Sequence, residues 1–290
     1  MFKIKDMILE NKKHHNKLTS SHESPFSYEI NLNLTDYKYI GIYSRDKFIT
    51  KCFLKVLAGI NKSKSGRCQY LEFDVFDNKE YFQKRLYFDY ETNYVSTLNP
   101  DKLSDTFMQK FKKEFDSTKF KKIVKDLNIR GECTITSKYE FTNAGNTLVN
   151  HALSISLPYK ILIINNPTLY IKNNNQIKYL SDNFKNKYET VVLGLNDLGL
   201  ITKELEIIIV FDDFGFVHTL NPNDELVVIN AQQNLDEYKA NKLFISNDDK
   251  RLILHGFNKD DFKKLKKAKI DYIIISLNEV GGYLWKKSSR

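Results

Sequence analysis

Apolar and polar residues alternate over residues 2–9 (FKIKDMIL) and again over residues 26–34, which predicts two strands, the first with Phe2, Ile4 and Ile8 inward. Asp36-Tyr37-Lys38 then turns the chain into residues 39–43, an apolar run that reads as a strand buried on both faces. After a polar loop, Phe53, Leu54, Leu57 and Ala58 share one side of a helix that Gly59 closes. Further on, residues 68–75 read as a strand, 79–85 as a short amphipathic helix or turn and 85–88 as another strand. Residues 98–128 are helical with a break near Ser117-Thr118: Phe107, Phe111 and Phe115 recur every fourth residue, and Phe120, Ile123, Val124 and Leu127 continue the apolar face. That stripe reads as core, with a docking surface for a partner helix as the alternative. A helix over 148–157 precedes a buried strand at 161–164, residues 191–197 make another, and two strands within 205–216 meet at a turn through Asp212-Asp213. From Leu226 onward the pattern changes to short strands (243–246, 251–255, 272–277) around a Lys-rich helix at 259–269 with Phe262 and Leu265 inward.

With 290 residues, 41% hydrophobic and 28% charged, the chain has the makings of a large globular core and is not a disordered polymer. The net charge of +9 is spread through helices and loops, which predicts a solvated surface in preference to a nucleic-acid footprint. Cys52, Cys68 and Cys133 are odd in number and lack CxxC spacing, which argues for a reducing compartment and against a disulfide or zinc framework. His14-His15 sit in a polar stretch and read as exposed loop, so no metal site is expected. The longest apolar runs, such as 161–164 and 207–211, fall far short of the ~20 residues of a membrane helix, and residues 1–13 lack a signal-type apolar core.

A strand, a loop and a helix in that order form the unit that cradles phosphates at a helix N-terminus. The residues 54–66, LKVLAGINKSKSG, resemble the segment after the phosphate loop in ATP-binding subunits of ABC transporters. In that family the loop is GxxxxGK[ST]: backbone N–H groups wrap the phosphates, the Lys neutralises them and a hydroxyl holds magnesium. Here Ser44 and Ile49 stand for the two glycines, Thr50 for the Lys and Cys52 for the hydroxyl, while Lys47 and Lys51 keep positive charge nearby. A β-branched Ile opposes the close backbone approach and free φ that Gly provides.

The second stretch with family character is residues 139–168. Its end resembles the LLLDEPT strand, with Pro167-Thr168 retained, Asn165 for the magnesium-binding Asp and Asn166 for the catalytic Glu. A carboxamide neither offers negative charge to a cation nor accepts a proton from water at neutral pH. Phe141, Thr142, Asn143, Ala144 and Gly145 match the LSGGQ signature. The family's Gln after the third core strand falls on Asp89, Tyr90 or Glu91, with Tyr90 the best alignment, and its switch His falls on Asn196. Gly215 matches a turn Gly in the family's next strand pair, and the end at 278–285 (NEVGGYLW) resembles that of exporter-type subunits.

The resemblance implies an α/β fold: a P-loop NTPase-like cassette over residues 1–225, with an antiparallel β start, a mixed sheet and a helical subdomain at about 98–150. A small α+β appendage follows at 226–290. It implies a catalytically impaired homologue, a structural or regulatory part of an ABC transporter of exporter type, with no catalytic or metal-binding residue. ATP and magnesium would bind only if Lys47 or Lys51 rebuilt the site. The implied partners are an integral-membrane permease and, in a homo- or heterodimer, an ABC ATPase subunit, which places the chain in the cytoplasm at the inner face of the cell membrane. The alternatives are a nucleic-acid or anion-binding module on a P-loop-derived fold, and an atypical ATPase.

Overall fold

A computed structural model describes residues 2–10, 27–89, 100–134, 140–196, 204–233, 238, 240–246 and 248–284. The chain opens with the antiparallel pair β1 (Phe2–Glu10) and β2 (Ser27–Leu34), then β3 (Tyr39–Ser44) and α1 (Lys47–Leu57). Next come β4 (Ser65–Tyr70), β5 (Phe73–Asp74), α2 (Lys79–Lys84) and β6 (Arg85–Asp89), followed by α3 (Pro100–Phe111) and α4 (Ser117–Asp126). A short ladder of β7 (Cys133–Thr134) and β8 (Glu140–Phe141) precedes α5 (Asn143–Ser156), β9 (Ile161–Asn165), α6 (Asn174–Lys187) and β10 (Thr190–Leu195). β11 (Ile207–Phe211) and β12 (Val217–Leu220) finish the main sheet. The C-terminal part holds β13 (Glu225–Asn230), β14 (Asn241–Ile245), β15 (Arg251–His255), α7 (Lys259–Lys267), β16 (Tyr272–Ser276) and α8 (Val280–Leu284).

The central sheet runs β12-β11-β3-β10-β9-β6, parallel except for β12, so β3 lies inside it, as its unbroken apolar run predicts. Alternation along β3 splits the core. Ile40 and Ile42 face α1 and the antiparallel sheet β2-β1-β4-β5, while Tyr39 and Tyr43 face α4, α5 and α6. The C-terminal sheet, β14-β15-β13-β16, turns Leu226, Val228, Phe244 and Ile253 into that second core, and Val227, Ile229, Leu252 and Leu254 form a separate small cluster with Phe262 of α7. Gly59 at φ +67 closes α1, where an added Cβ would lie 2.4 Å from the Val75 carbonyl oxygen, so the expected helix stop has a steric reason.

Three strand expectations need correction. In β1 the register shifts between Ile4 and Met7 at Asp6 (φ 51), so Phe2, Ile4, Met7 and Leu9 are buried and Ile8 is not. Gly66 (φ +76) packs on the Asp6 carbonyl at this bulge. The strand expected over 68–75 starts at Ser65 and folds back at Leu71-Glu72, with Leu71 at φ 57; no Gly or Asn marks that turn. The second strand expected within 205–216 lies at Val217–Leu220, because Asp212 to Phe216 are taken up by the turn. The break in the helical part is capped by Asp116, whose carboxylate accepts from the Lys119 amide at 2.8 Å. Phe115 and Phe120 are core residues there, and Phe107 and Phe111 stack half-buried at a ring distance of 5.6 Å.

Candidate functional site

The link from β3 to α1 is only Arg45 and Asp46. Ser44 ends the strand, Asp46 is the N-cap and the helix begins at Lys47. The Asp46 carboxylate accepts from the Phe48 amide at 2.9 Å, and the Ser44 hydroxyl accepts from the Asp46 amide at 3.2 Å. A helix N-terminus attracts an anion through its unpaired N–H groups and its dipole. Here the chain's own carboxylate occupies that position. No residue from 44 to 50 has positive φ, so the alternating backbone of a phosphate nest is not formed. Ile49 and Thr50 are turned into the core, Lys47 is exposed, and Cys52, one residue past Lys51 where the motif's spacing puts the hydroxyl, is half-buried beside a groove of about 480 Å³ between α1 and β1.

Arg45 is clamped from the far end of the chain. Its Nη1 donates to Asp213 Oδ2 at 2.5 Å and to the Ile245 carbonyl at 2.6 Å, while the Ile245 amide donates to the same carboxylate oxygen at 3.0 Å. The Asp213 amide donates to the Leu243 carbonyl at 3.0 Å, and Tyr43 meets Phe244 edge-on at 5.7 Å. The C-terminal strand β14 is thus pinned to the end of β3. Burial raises the Asp213 pKa, and the Arg45 guanidinium opposes that rise. The neighbouring Asp212 accepts from the Phe214 and Phe216 amides at 2.9 and 2.8 Å and pairs with His218 Nε2 at 2.6 Å, so the two aspartates serve different elements.

Beside the loop, Lys51 Nζ lies 2.7 Å from Asp89 Oδ2, and the Asn165 amide donates to Asp89 Oδ1 at 3.1 Å. Asp89 and Asn165 are register partners at the ends of β6 and β9, and Asn165 is the register partner of Gly194 in β10. Gly194 has no side chain where α1 crosses: a Cβ there would meet Leu54 Cδ1 at 2.5 Å, Asn165 Oδ1 at 2.9 Å and Thr50 Cγ2 at 3.0 Å. The Thr50 hydroxyl is buried without a hydrogen-bond partner. Asn166, buried at φ 55, donates its amide to the Gly194 carbonyl at 2.8 Å. Asn196 is half-buried one residue past β10, and Tyr90 lies outside the described residues.

Phe141 to Gly145 form a helix start. Phe141 belongs to β8, and Thr142 caps α5 with its hydroxyl accepting from the Gly145 amide at 3.0 Å, followed by Asn143 and Ala144 in the first turn. From Gly145 on, α5 is buried throughout. Its His151 donates from Nε2 to the Pro167 carbonyl at 2.6 Å, tying the helix to the turn after β9, and full burial pulls its pKa down to about 4. The structure therefore joins Ser44, Thr50, Lys51 and Asn165 in one region. It adds Arg45 and Asp46, which reading the loop as merely polar passes over, and His151 on α5; of the three aligned candidates Asp89 meets Lys51, while Tyr90 and Glu91 lie outside the described residues. Asp46 was findable: an Asp directly before an amphipathic run is a helix-start signal.

No protein-family model and no curated protein matches the sequence. Solved structures do match. A structure described as a candidate cobalt transport ATP-binding protein (cbiO-2) aligns over 98% of this chain and 100% of its own, with TM-score 0.56 and 16% identity. That of cbiO1 from Clostridium perfringens, part of the ABC transporter complex cbiONQ, aligns over 76% of this chain and 88% of its own, with TM-score 0.52 and 14% identity. A dimeric ATP-binding cassette in a post-hydrolysis state with ADP and Pi aligns over 77% of this chain and 99% of its own, with TM-score 0.53 and 14% identity. Together with the antiparallel start, the strand order around β3 and the helical layer, these likenesses show that the chain has the P-loop NTPase fold of ABC-transporter ATP-binding cassettes.

Proposed function

We propose that the chain is a cassette that has lost nucleotide chemistry and acts as a structural or regulatory component of an ABC transporter. The observation that carries this is the Asp46 carboxylate at the N-terminus of α1, where a phosphate would need the same amides and would meet like charge. Divalent-metal chemistry is equally unsupported. A magnesium ion demands near-octahedral oxygen ligands, and the residues at the strand ends do not fit it: two carboxamides, Asn165 and Asn166, and one carboxylate, Asp89, with an ammonium 2.7 Å away. No His/Cys/Asp/Glu cluster that could hold a metal occurs among the described residues.

The assembly proposed is that of the resembled family. Cassettes of this kind pair so that the loop of one faces the signature helix of the other, and cbiO1 belongs to a transporter complex while another neighbour is dimeric. A homodimer of this chain has no working site. A heterodimer with an intact ATPase subunit keeps one if Thr142 at the α5 N-terminus serves as its signature. The helical layer, with half-buried Phe107 and Phe111 and a groove of about 450 Å³ lined by Phe120, Val124, Lys121 and Lys125, is the surface for an integral-membrane permease of exporter type. No helix among the described residues is long and apolar enough to cross a membrane; the attachment proposed is through that permease at the inner face. The test is affinity capture of the full chain from its host's membranes together with an ATPase assay of the purified chain. Recovery of a permease and no turnover are expected; ordinary turnover by the chain alone overturns the reading.

A further inference from the structure

Asp89 ends β6, the edge strand of the central sheet beside β9, with its side chain 5% exposed, and a carboxylate so buried needs a cation. The cation is supplied by the adjacent helix. Lys51 of α1 reaches down with its stem half-covered and sets its ammonium 2.7 Å from Oδ2, while Oδ1 takes the Asn165 amide at 3.1 Å. One carboxylate thus connects three elements, α1, β6 and β9. The absence of a Cβ at Gly194 lets α1 sit close enough for this.

We infer that Lys51 is a built-in cation that performs the structural task of a divalent metal at the end of the sheet, neutralising Asp89 and holding α1 against β6 and β9 without metal or nucleotide. The inference rests on the reading that the cassette works without ATP and specifies how its site region keeps its shape. Being covalent, the lysine is present at every ligand concentration, so the junction of loop helix and sheet does not respond to magnesium. Three features separate this from an ordinary surface pair: the carboxylate is buried, its second oxygen is bonded to the neighbouring strand, and Asp89 and Asn165 are register partners in the sheet.

The test uses the full chain with Mn²⁺ alone, read by thermal unfolding and by the electron paramagnetic resonance signal of free against bound Mn²⁺. The wild type is expected to bind no Mn²⁺ and to keep its Tm. Lys51→Ala, which removes the ammonium beside the buried carboxylate, is expected to lower Tm by roughly 5–15 °C and to recover part of that loss as Mn²⁺ is added. The double variant Lys51→Met/Asp89→Asn, lacking both charges, is expected to be more stable than Lys51→Ala and insensitive to Mn²⁺. Mn²⁺ binding by the wild type that Asp89→Asn abolishes overturns the inference, as does a Lys51→Ala protein with unchanged Tm or with no Mn²⁺ response. If Lys51→Ala does not fold, a folded double variant supports the inference and an equally unfolded one overturns it. ATP is absent throughout, so these outcomes are separate from any failure of the nucleotide-free reading itself.

Discussion

Arg45→Ala removes a side chain that ties the β3–α1 link to the C-terminal sheet, and its effect follows from the geometry. The guanidinium is 10% exposed and donates to Asp213 Oδ2 and the Ile245 carbonyl; Asp213 is 23% exposed. Breaking a fully buried pair costs about 3–5 kcal/mol. Because water can reach a quarter of Asp213, part of that is recovered, and a loss of ~2–3 kcal/mol is expected. Burial already raises the Asp213 pKa against the opposing Arg45, so without Arg45 it rises further. The loss is therefore full where Asp213 is ionised and shrinks as pH falls and the carboxyl is protonated. Urea unfolding of wild type, Arg45→Ala, Asp213→Asn and the double variant at pH 7 and at pH 4 measures both the loss and the coupling. A coupling of ~1–2 kcal/mol at pH 7 is expected, with slower-exchanging amides at Ile245 in the wild type than in Arg45→Ala. A variant within about 0.5 kcal/mol of wild type, or a pH 4 loss as large as that at pH 7, refutes the clamp.

Other consequences are simpler to check. His151 stays neutral to about pH 4 in the folded protein while the unfolded chain takes up its proton near 6.5, so stability holds above pH 6.5 and falls by ~3 kcal/mol between 6.5 and 4; His151→Gln should flatten urea midpoints over that interval, and an unchanged slope counts against it. Gly194→Ala forces a Cβ against Leu54, Asn165 and Thr50 and should cost ~1–3 kcal/mol, seen as a lower Tm; a neutral result would mean that α1 does not pack as described. Thr142→Ala should lose ~1 kcal/mol of capping and Thr142→Ser almost none, compared by thermal unfolding.

The strand, helix and stop of residues 39–59 were legible because the apolar run, the helical spacing and Gly59 all point the same way. The bulge at Asp6 and the reversal at Leu71 were not, since the residue that takes positive φ is neither Gly nor Asn in either and both depend on strand pairing. Asn165, Thr50 and Ser44 were reached through the order and spacing of two stretches far apart in sequence. Register alone left Asp89, Tyr90 and Glu91 unresolved; Asp89 pairs with Lys51, and the other two lie outside the described residues. Arg45 and Ile245 are 200 residues apart, and only tertiary packing brings them together. His151 looked like any residue of a buried helix until the turn at Pro167 was placed beside it.

The central claim is that the α1 N-terminus holds the chain's own carboxylate where a nucleotide phosphate would bind. Calorimetric titration of the full-length purified chain with magnesium-ATP into the millimolar range tests it most directly. No saturable heat is predicted; a saturable isotherm that Lys47→Ala or Lys51→Ala weakens would contradict the account and restore a nucleotide site.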